Sequence, residues 1–157
     1  MEQPELLPEK AAAMDISHAT GACHCGKVRF EVALTDGLRT ARRCTCSYCR
    51  MRGAVAISSD VGGIRFLSGE DALSSYQFNT GTAKHYFCSI CGIYTHHQRR
   101  SNPGQYGVNV ACLDGLSPFD FAQVPVLDGI SHPRDNNGQV RMAGVLRFIP
   151  AADDQAA

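Results

Sequence analysis

The residues with the most chemical capacity are eight cysteines, and seven of them fall in three tight groups. Cys23-x-Cys25 comes first, Cys44-x-Cys46-x-x-Cys49 follows, and Cys88-x-x-Cys91 closes the series, while Cys112 stands alone. Thiols separated by one or two residues have the spacing of metal ligands, because a tight turn can aim both sulfurs at one point. A disulfide framework fits less well. Disulfides belong to oxidising compartments, and Met1 to His18, with Glu2, Glu5 and Glu9, lacks the apolar core of a secretory signal. The expected location is cytoplasmic.

Two thiolates do not complete a tetrahedral site. Joining Cys23 and Cys25 to Cys88 and Cys91 gives a four-sulfur structural zinc site. An extended segment puts Cys23 and Cys25 on one face and turns His24 away, and Gly92 suits a left-handed position after the second pair. Cys44, Cys46 and Cys49 then hold a second zinc with three sulfurs and one open position, the usual mark of a catalytic site. Thr45, Ser47, His24, His96 and His97 are candidates for the fourth place. A second grouping is also open. Cys46, Cys49, Cys88 and Cys91 have zinc-ribbon spacing, which leaves Cys23, Cys25 and Cys44 as the three-ligand set. Either way the expected cofactor is Zn2+, two per chain.

Arg42, Arg43, Arg50 and Arg52 bracket the middle group. They offset thiolate charge and can attract an anionic substrate, although the same residues could form an ordinary solvated surface. Tyr48 and His97 are further candidates for substrate contact, His96 and His97 alternate to opposite faces of one strand, and His85 reads as a surface residue. Cys112, in alternation with Val108 and Val110, reads as a small buried hydrophobe. Asn109 and Asp114 read as turn caps, and Phe119, Phe121 and Phe148 as core.

The elements that must position these groups read as short strands. Val28, Phe30, Val32 and Leu34 share one face of residues 27–34, with Lys27, Arg29 and Glu31 opposite. Further strands are expected over 54–57, 64–67, 73–78, 85–87, 93–97, 106–110 and 145–149, with one short helical or turn segment near 116–121. Short strands at this spacing predict a mainly β domain. The expected organisation is a flexible tail over 1–20, a single zinc-binding domain over 21–150, and a flexible tail over 151–157.

The whole chain of 157 residues has 15 Lys and Arg against 15 Asp and Glu, a formal net charge of zero. That counts against nucleic-acid binding, even with Arg99, Arg100 and the aromatic rings of Tyr48 and Tyr106 added to the arginines above. No apolar run reaches 18 residues, so no membrane span is expected. A redox use of Cys88-x-x-Cys91 would need a βαβ setting that the strand pattern does not offer. The pattern is silent on oligomeric state.

The pieces GACHCGKVRFEV (21–32), CTCSYCR (44–50), YFCSICG (86–92) and GVNVACLDG (107–115) together resemble the glutathione-dependent formaldehyde-activating enzyme family, which includes the centromere-protein-V-like domains. The resemblance covers roughly residues 19–133 and rests on all three cysteine groups in this order. It implies the Mss4-like fold, twisted antiparallel sheets stapled by zinc. It implies that Cys23, Cys25, Cys88 and Cys91 are structural ligands and that Cys44, Cys46 and Cys49 hold the catalytic-type zinc. It implies a carbon–sulfur lyase that reversibly adds a small thiol, glutathione or similar, to formaldehyde or a related aldehyde, with that thiol as the partner molecule. No family pattern transfers to residues 131–145, which carry PRDNNGQ. The competing expectation is a non-enzymatic, zinc-stapled interaction module, since one fold serves many functions.

Overall fold

A computed structural model describes residues 2–152, and the polypeptide is mainly β, built of twisted antiparallel sheets. The outer sheet runs β1 (Glu5–Leu6), β11 (Phe121–Leu127), β12 (Met142–Arg147), with β4 (Arg43–Cys44) added parallel to β11. The central sheet has the order β5 (Ala56–Asp60), β10 (Gln105–Asn109), β9 (Tyr94–Gln98), β8 (Lys84–Cys88), β7 (Leu73–Tyr76). The third contains β2 (His18–Ala22), β3 (Arg29–Ala33) and β6 (Ile64–Ser68).

Alternation explains the core. In β3, Phe30 and Val32 are buried while Arg29 and Ala33 face solvent. They join Leu38, Ile57, Val108, Val110 and Phe121 in one apolar cluster. Cys112 belongs to that cluster, and its thiol donates to the carbonyl of Tyr94 at 3.4 Å. Asn109 caps the following turn by accepting from the Ala111 amide at 3.1 Å. Phe119 and Phe148 are not core: Phe119 is 64% exposed, and the two rings pack on each other near the surface at 5.3 Å.

The N-terminal segment differs from the expected tail over 1–20. Leu6 in β1 pairs with Phe121, a 3-10 segment covers Pro8–Asp15, and β2 begins at His18. The Leu38 amide donates to the Met14 carbonyl at 3.0 Å, and Leu6, Ala13, Met14 and Ile16 pack on the core. A few apolar side chains among small and polar neighbours are enough to dock it. At the other end, residues 151 and 152 carry no regular structure, and the rest of the expected tail lies outside the described residues.

β11, the longest strand, has no counterpart in the sequence reading because Pro125 interrupts it. Its register shows how the proline is accommodated. β1 pairs at Phe121 and Gln123, β4 at Val126 and Leu127, and Pro125 falls in the gap between them. This strand carries Leu127 to the middle cysteine group, where the Leu127 carbonyl accepts from the Thr45 amide at 3.1 Å.

Candidate metal centres and active site

Cys23 and Cys25 sit on the turn between β2 and β3 rather than on an extended strand. The turn is closed by the Gly26 amide donating to the Cys23 carbonyl at 3.1 Å, and Gly26 takes the left-handed φ of 78°. Cys88 ends β8, and the Gly92 amide donates to its carbonyl at 2.8 Å. Gly92 is also left-handed, at φ 78°. His24 is exposed.

The two turns bring the sulfurs of Cys23, Cys25, Cys88 and Cys91 within 4.8 Å of one another. The grouping is therefore the first of the two that spacing allowed, not the ribbon-like one. The sulfurs of Cys23 and Cys25 are 3.6 Å apart, and those of Cys25 and Cys88 are 3.8 Å apart. A tetrahedron with metal–sulfur bonds of about 2.3 Å has edges of about 3.8 Å. The donor set thus fits a zinc-sized ion, and the separations are far too long for disulfides. Amides of Val28 and Ile90 donate to the sulfurs of Cys23 and Cys88 at 3.3 and 3.4 Å, which favours thiolates.

The second group is more local. Cys46-x-x-Cys49 turns into α1 (Cys49–Arg52), a single helical turn closed by left-handed Gly53. The sulfurs of Cys44, Cys46 and Cys49 lie within 4.8 Å of one another. Each accepts a hydrogen bond from nearby donors: Cys44 from the Cys46 amide (3.4 Å), Cys46 from the Cys49 amide (3.3 Å) and Cys49 from the Arg52 guanidinium (3.5 Å). Neighbouring thiols, followed by backbone amides, hold the Cys46 thiol far below its ordinary range, while the same thiol–thiol contacts push Cys44 and Cys49 up, so without a metal ion the group favours a single thiolate, on Cys46. No His, Asp or Glu among the described residues joins the three sulfurs, so His24, His96 and His97 do not close the set.

This group opens on a cavity of about 900 Å³ lined by Cys44, Cys46 and Cys49. None of the four cysteines of the first group lines it. Arg42, Arg43, Arg52, Arg99, Arg100 and Arg134 reach its wall, against the carboxylates of Asp128 and Asp135. Asp135 is taken by Arg100, at 2.8 and 3.1 Å. Among the described residues, no carboxylate lies within ion-pair distance of Arg42, Arg43, Arg52 or Arg99. Burial, with Arg99 facing it, pushes Arg42 down to about 9.

Arg52 organises the floor. Its guanidinium donates to His85 Nδ1 at 2.9 Å as well as to Cys49, and it lies 3.6 Å from the Tyr94 ring centre. His85, read from sequence as a surface residue, is buried between Tyr48 (4.4 Å) and His97 (5.2 Å). Burial, with Arg52 nearby, lowers its pKa to about 4. His97 lines the cavity, whereas His96 turns to the other face of β9 against Tyr86 and Tyr106. Of the other sequence candidates, Arg50 is exposed on α1, and Tyr48 stacks on Tyr76 without lining the cavity.

Residues 127–140 supply a wall that the spacing of the cysteines could not announce. The Gly129 amide donates to Thr45 Oγ1 at 3.0 Å, and a methyl group on Gly129 would overlap the Cys44 sulfur and the Cys46 backbone. His132, Pro133 and Arg134 continue this wall, tied down by Arg134 Nε donating to the Arg100 carbonyl at 3.3 Å.

A mainly β chain with one four-sulfur group at a turn junction and a second, three-sulfur group on a cavity defines a class of cysteine-cluster proteins within the Mss4-like clan. Residues 18–123 match the model of the glutathione-dependent formaldehyde-activating enzyme family, and the chain belongs to that family. It is also similar to the crystal structure of a Rhodobacter sphaeroides protein, a Northeast Structural Genomics target. The two share 57% identity with a TM-score of 0.63, over 64% of this chain and 93% of that one.

Proposed function

We propose that this protein is a zinc-dependent carbon–sulfur lyase that reversibly joins a small anionic thiol, glutathione or a close analogue, to formaldehyde or a related aldehyde. The observation that carries the reading is the three-sulfur group opening on a cavity whose arginines outnumber its carboxylates. Cys44, Cys46 and Cys49 would hold the zinc, which when bound favours the thiolate form of a substrate thiol. Arg42, Arg43 and Arg99 attract the carboxylates of such a thiol, since Arg42 and Arg99 are held by neutral acceptors (Thr40, Ser58, Gln105 and Ser101) and, among the described residues, none of the three has a carboxylate to offset its charge. A volume of about 900 Å³ accommodates a tripeptide-sized ligand and a one-carbon aldehyde together. Residues of the 127–140 wall line one side of the same cavity. An interaction module needs neither an open three-sulfur group nor a cationic cavity, so these features favour the enzyme.

Two-dimensional exchange NMR on glutathione and formaldehyde tests this. Zinc-loaded protein at micromolar concentration is expected to accelerate exchange between formaldehyde and S-(hydroxymethyl)glutathione. Cys46→Ser is expected to reduce the acceleration by roughly 100-fold or more and to retain one zinc per chain. An unaccelerated exchange with two zincs bound excludes this substrate pair.

A further inference from the structure

His97 is held in an orientation that fixes which of its nitrogens carries the proton. Tyr94 Oη lies 2.6 Å from His97 Nδ1 and 3.1 Å from the Gly107 carbonyl oxygen. A carbonyl can only accept, so satisfying both contacts sends the one hydroxyl hydrogen to Gly107 and leaves an Oη lone pair facing Nδ1. Nδ1 then carries hydrogen and donates to Oη. A neutral imidazole has a single N–H, so Nε2 keeps a free lone pair. No protein group among the described residues hydrogen-bonds Nε2, and the ring lines the cavity of Cys44, Cys46 and Cys49.

The other two histidines of the cavity have the opposite tautomer. Arg52, which cannot accept, donates to His85 Nδ1, and the Arg134 amide donates to His132 Nδ1 at 3.1 Å. Their single protons therefore sit on Nε2. Of the three, His97 alone offers a basic nitrogen. Its seat is made by Gly107 on the neighbouring strand, where any Cβ would overlap the imidazole. Burial, then Arg52, Arg42, His85 and Arg99 around it, keeps the ring neutral.

We propose that His97 Nε2 is the proton carrier of this cavity and that Tyr94 is its positioning residue; the assignment of a reaction to it rests on the reading above. The thiol S–H bond breaks and its proton passes to Nε2. The sulfur pair forms the carbon–sulfur bond, and the carbonyl π pair moves onto oxygen. The same proton then passes from Nε2 to that oxygen, giving the hydroxymethyl product with nothing else consumed. The arginines around the ring favour the second transfer and oppose the first, so the proton leaves Nε2 as the carbonyl oxygen gains charge.

Long-range 1H–15N correlation spectra of the zinc-loaded full chain test the assignment without reference to turnover. His97 is expected as the Nδ1–H tautomer at neutral pH, and Tyr94→Phe is expected to shift it toward Nε2–H. An Nε2–H tautomer in the wild type, or no change in Tyr94→Phe, overturns the proposal. In the exchange assay, His97→Gln is expected to lower the rate on the order of 100-fold with glutathione affinity retained; a wild-type rate overturns it. Wild-type protein with the assigned tautomer and no accelerated exchange overturns the reaction, while the tautomer result stands in support of the Nε2 assignment.

Discussion

In the first cysteine group, two turns more than sixty residues apart supply four sulfurs; in the second, three sulfurs come from six consecutive residues. The first ties β8 to the turn between β2 and β3, so its ion would join parts of the chain that backbone hydrogen bonds do not link directly. The second needs no distant segment to bring its sulfurs together, and its remaining side faces a cavity. On the function proposed above, ligand number and chain separation would divide structural from chemical duty, with the same thiol used for both.

The largest effect that bears on this contrast is expected at Cys88. Structural zinc contributes apparent free energies of about 10–16 kcal/mol in small zinc domains, comparable to the whole stability of a domain, about 5–15 kcal/mol. Cys88→Ser is expected to abolish a cooperative thermal melt. A sharp melt near the wild-type temperature would show that the first group does not staple the fold.

A smaller and more local effect is expected at Gly129. Its substitution by alanine forces a methyl group against Cys44 and Cys46 while leaving the first group untouched. Competition with a chromogenic chelator is expected to show zinc affinity of the second group reduced by roughly 100-fold, with the first unchanged. Equal weakening of both groups would break the contrast.

Arg52→Lys is the finest test. An ammonium cannot repeat the planar fork that reaches Cys49 and His85 together. Second-group affinity is expected to fall about 10-fold with the melting temperature nearly unchanged. A loss confined to the first group would reverse the assignment of roles.

Much of this was legible in the sequence for a simple reason. Strands such as β3 and β10 are long enough to show alternation, and ligand turns such as Cys88-x-x-Cys91 are local by nature. Two-residue strands, β1 and β4, contain no period to read, and Pro125 masks β11. The turn at Cys23 and Cys25 is hidden because two side chains on one face of a strand and two on a turn leave the same spacing. Arg99, Arg100 and Arg134 join Arg42 only through sheet order and the 127–140 wall, which no local pattern encodes. The burial of His85 comes from its cross-strand partner His97 and from Tyr48, which lies far earlier in the chain, and neither contact leaves a local pattern.

The parallel bridge between Cys44 and Leu127 also sets an order of events during synthesis. Cys49 leaves the ribosome 78 positions ahead of Leu127. At elongation rates of about 5–20 residues per second, that interval lasts roughly 4–16 s. Throughout it the three thiols are complete as a ligand set but lack their covering strand. If the group holds zinc as proposed, the ion would have a path to all three sulfurs in those seconds without crossing the wall of the cavity, and the thiols would be open to oxidants for as long.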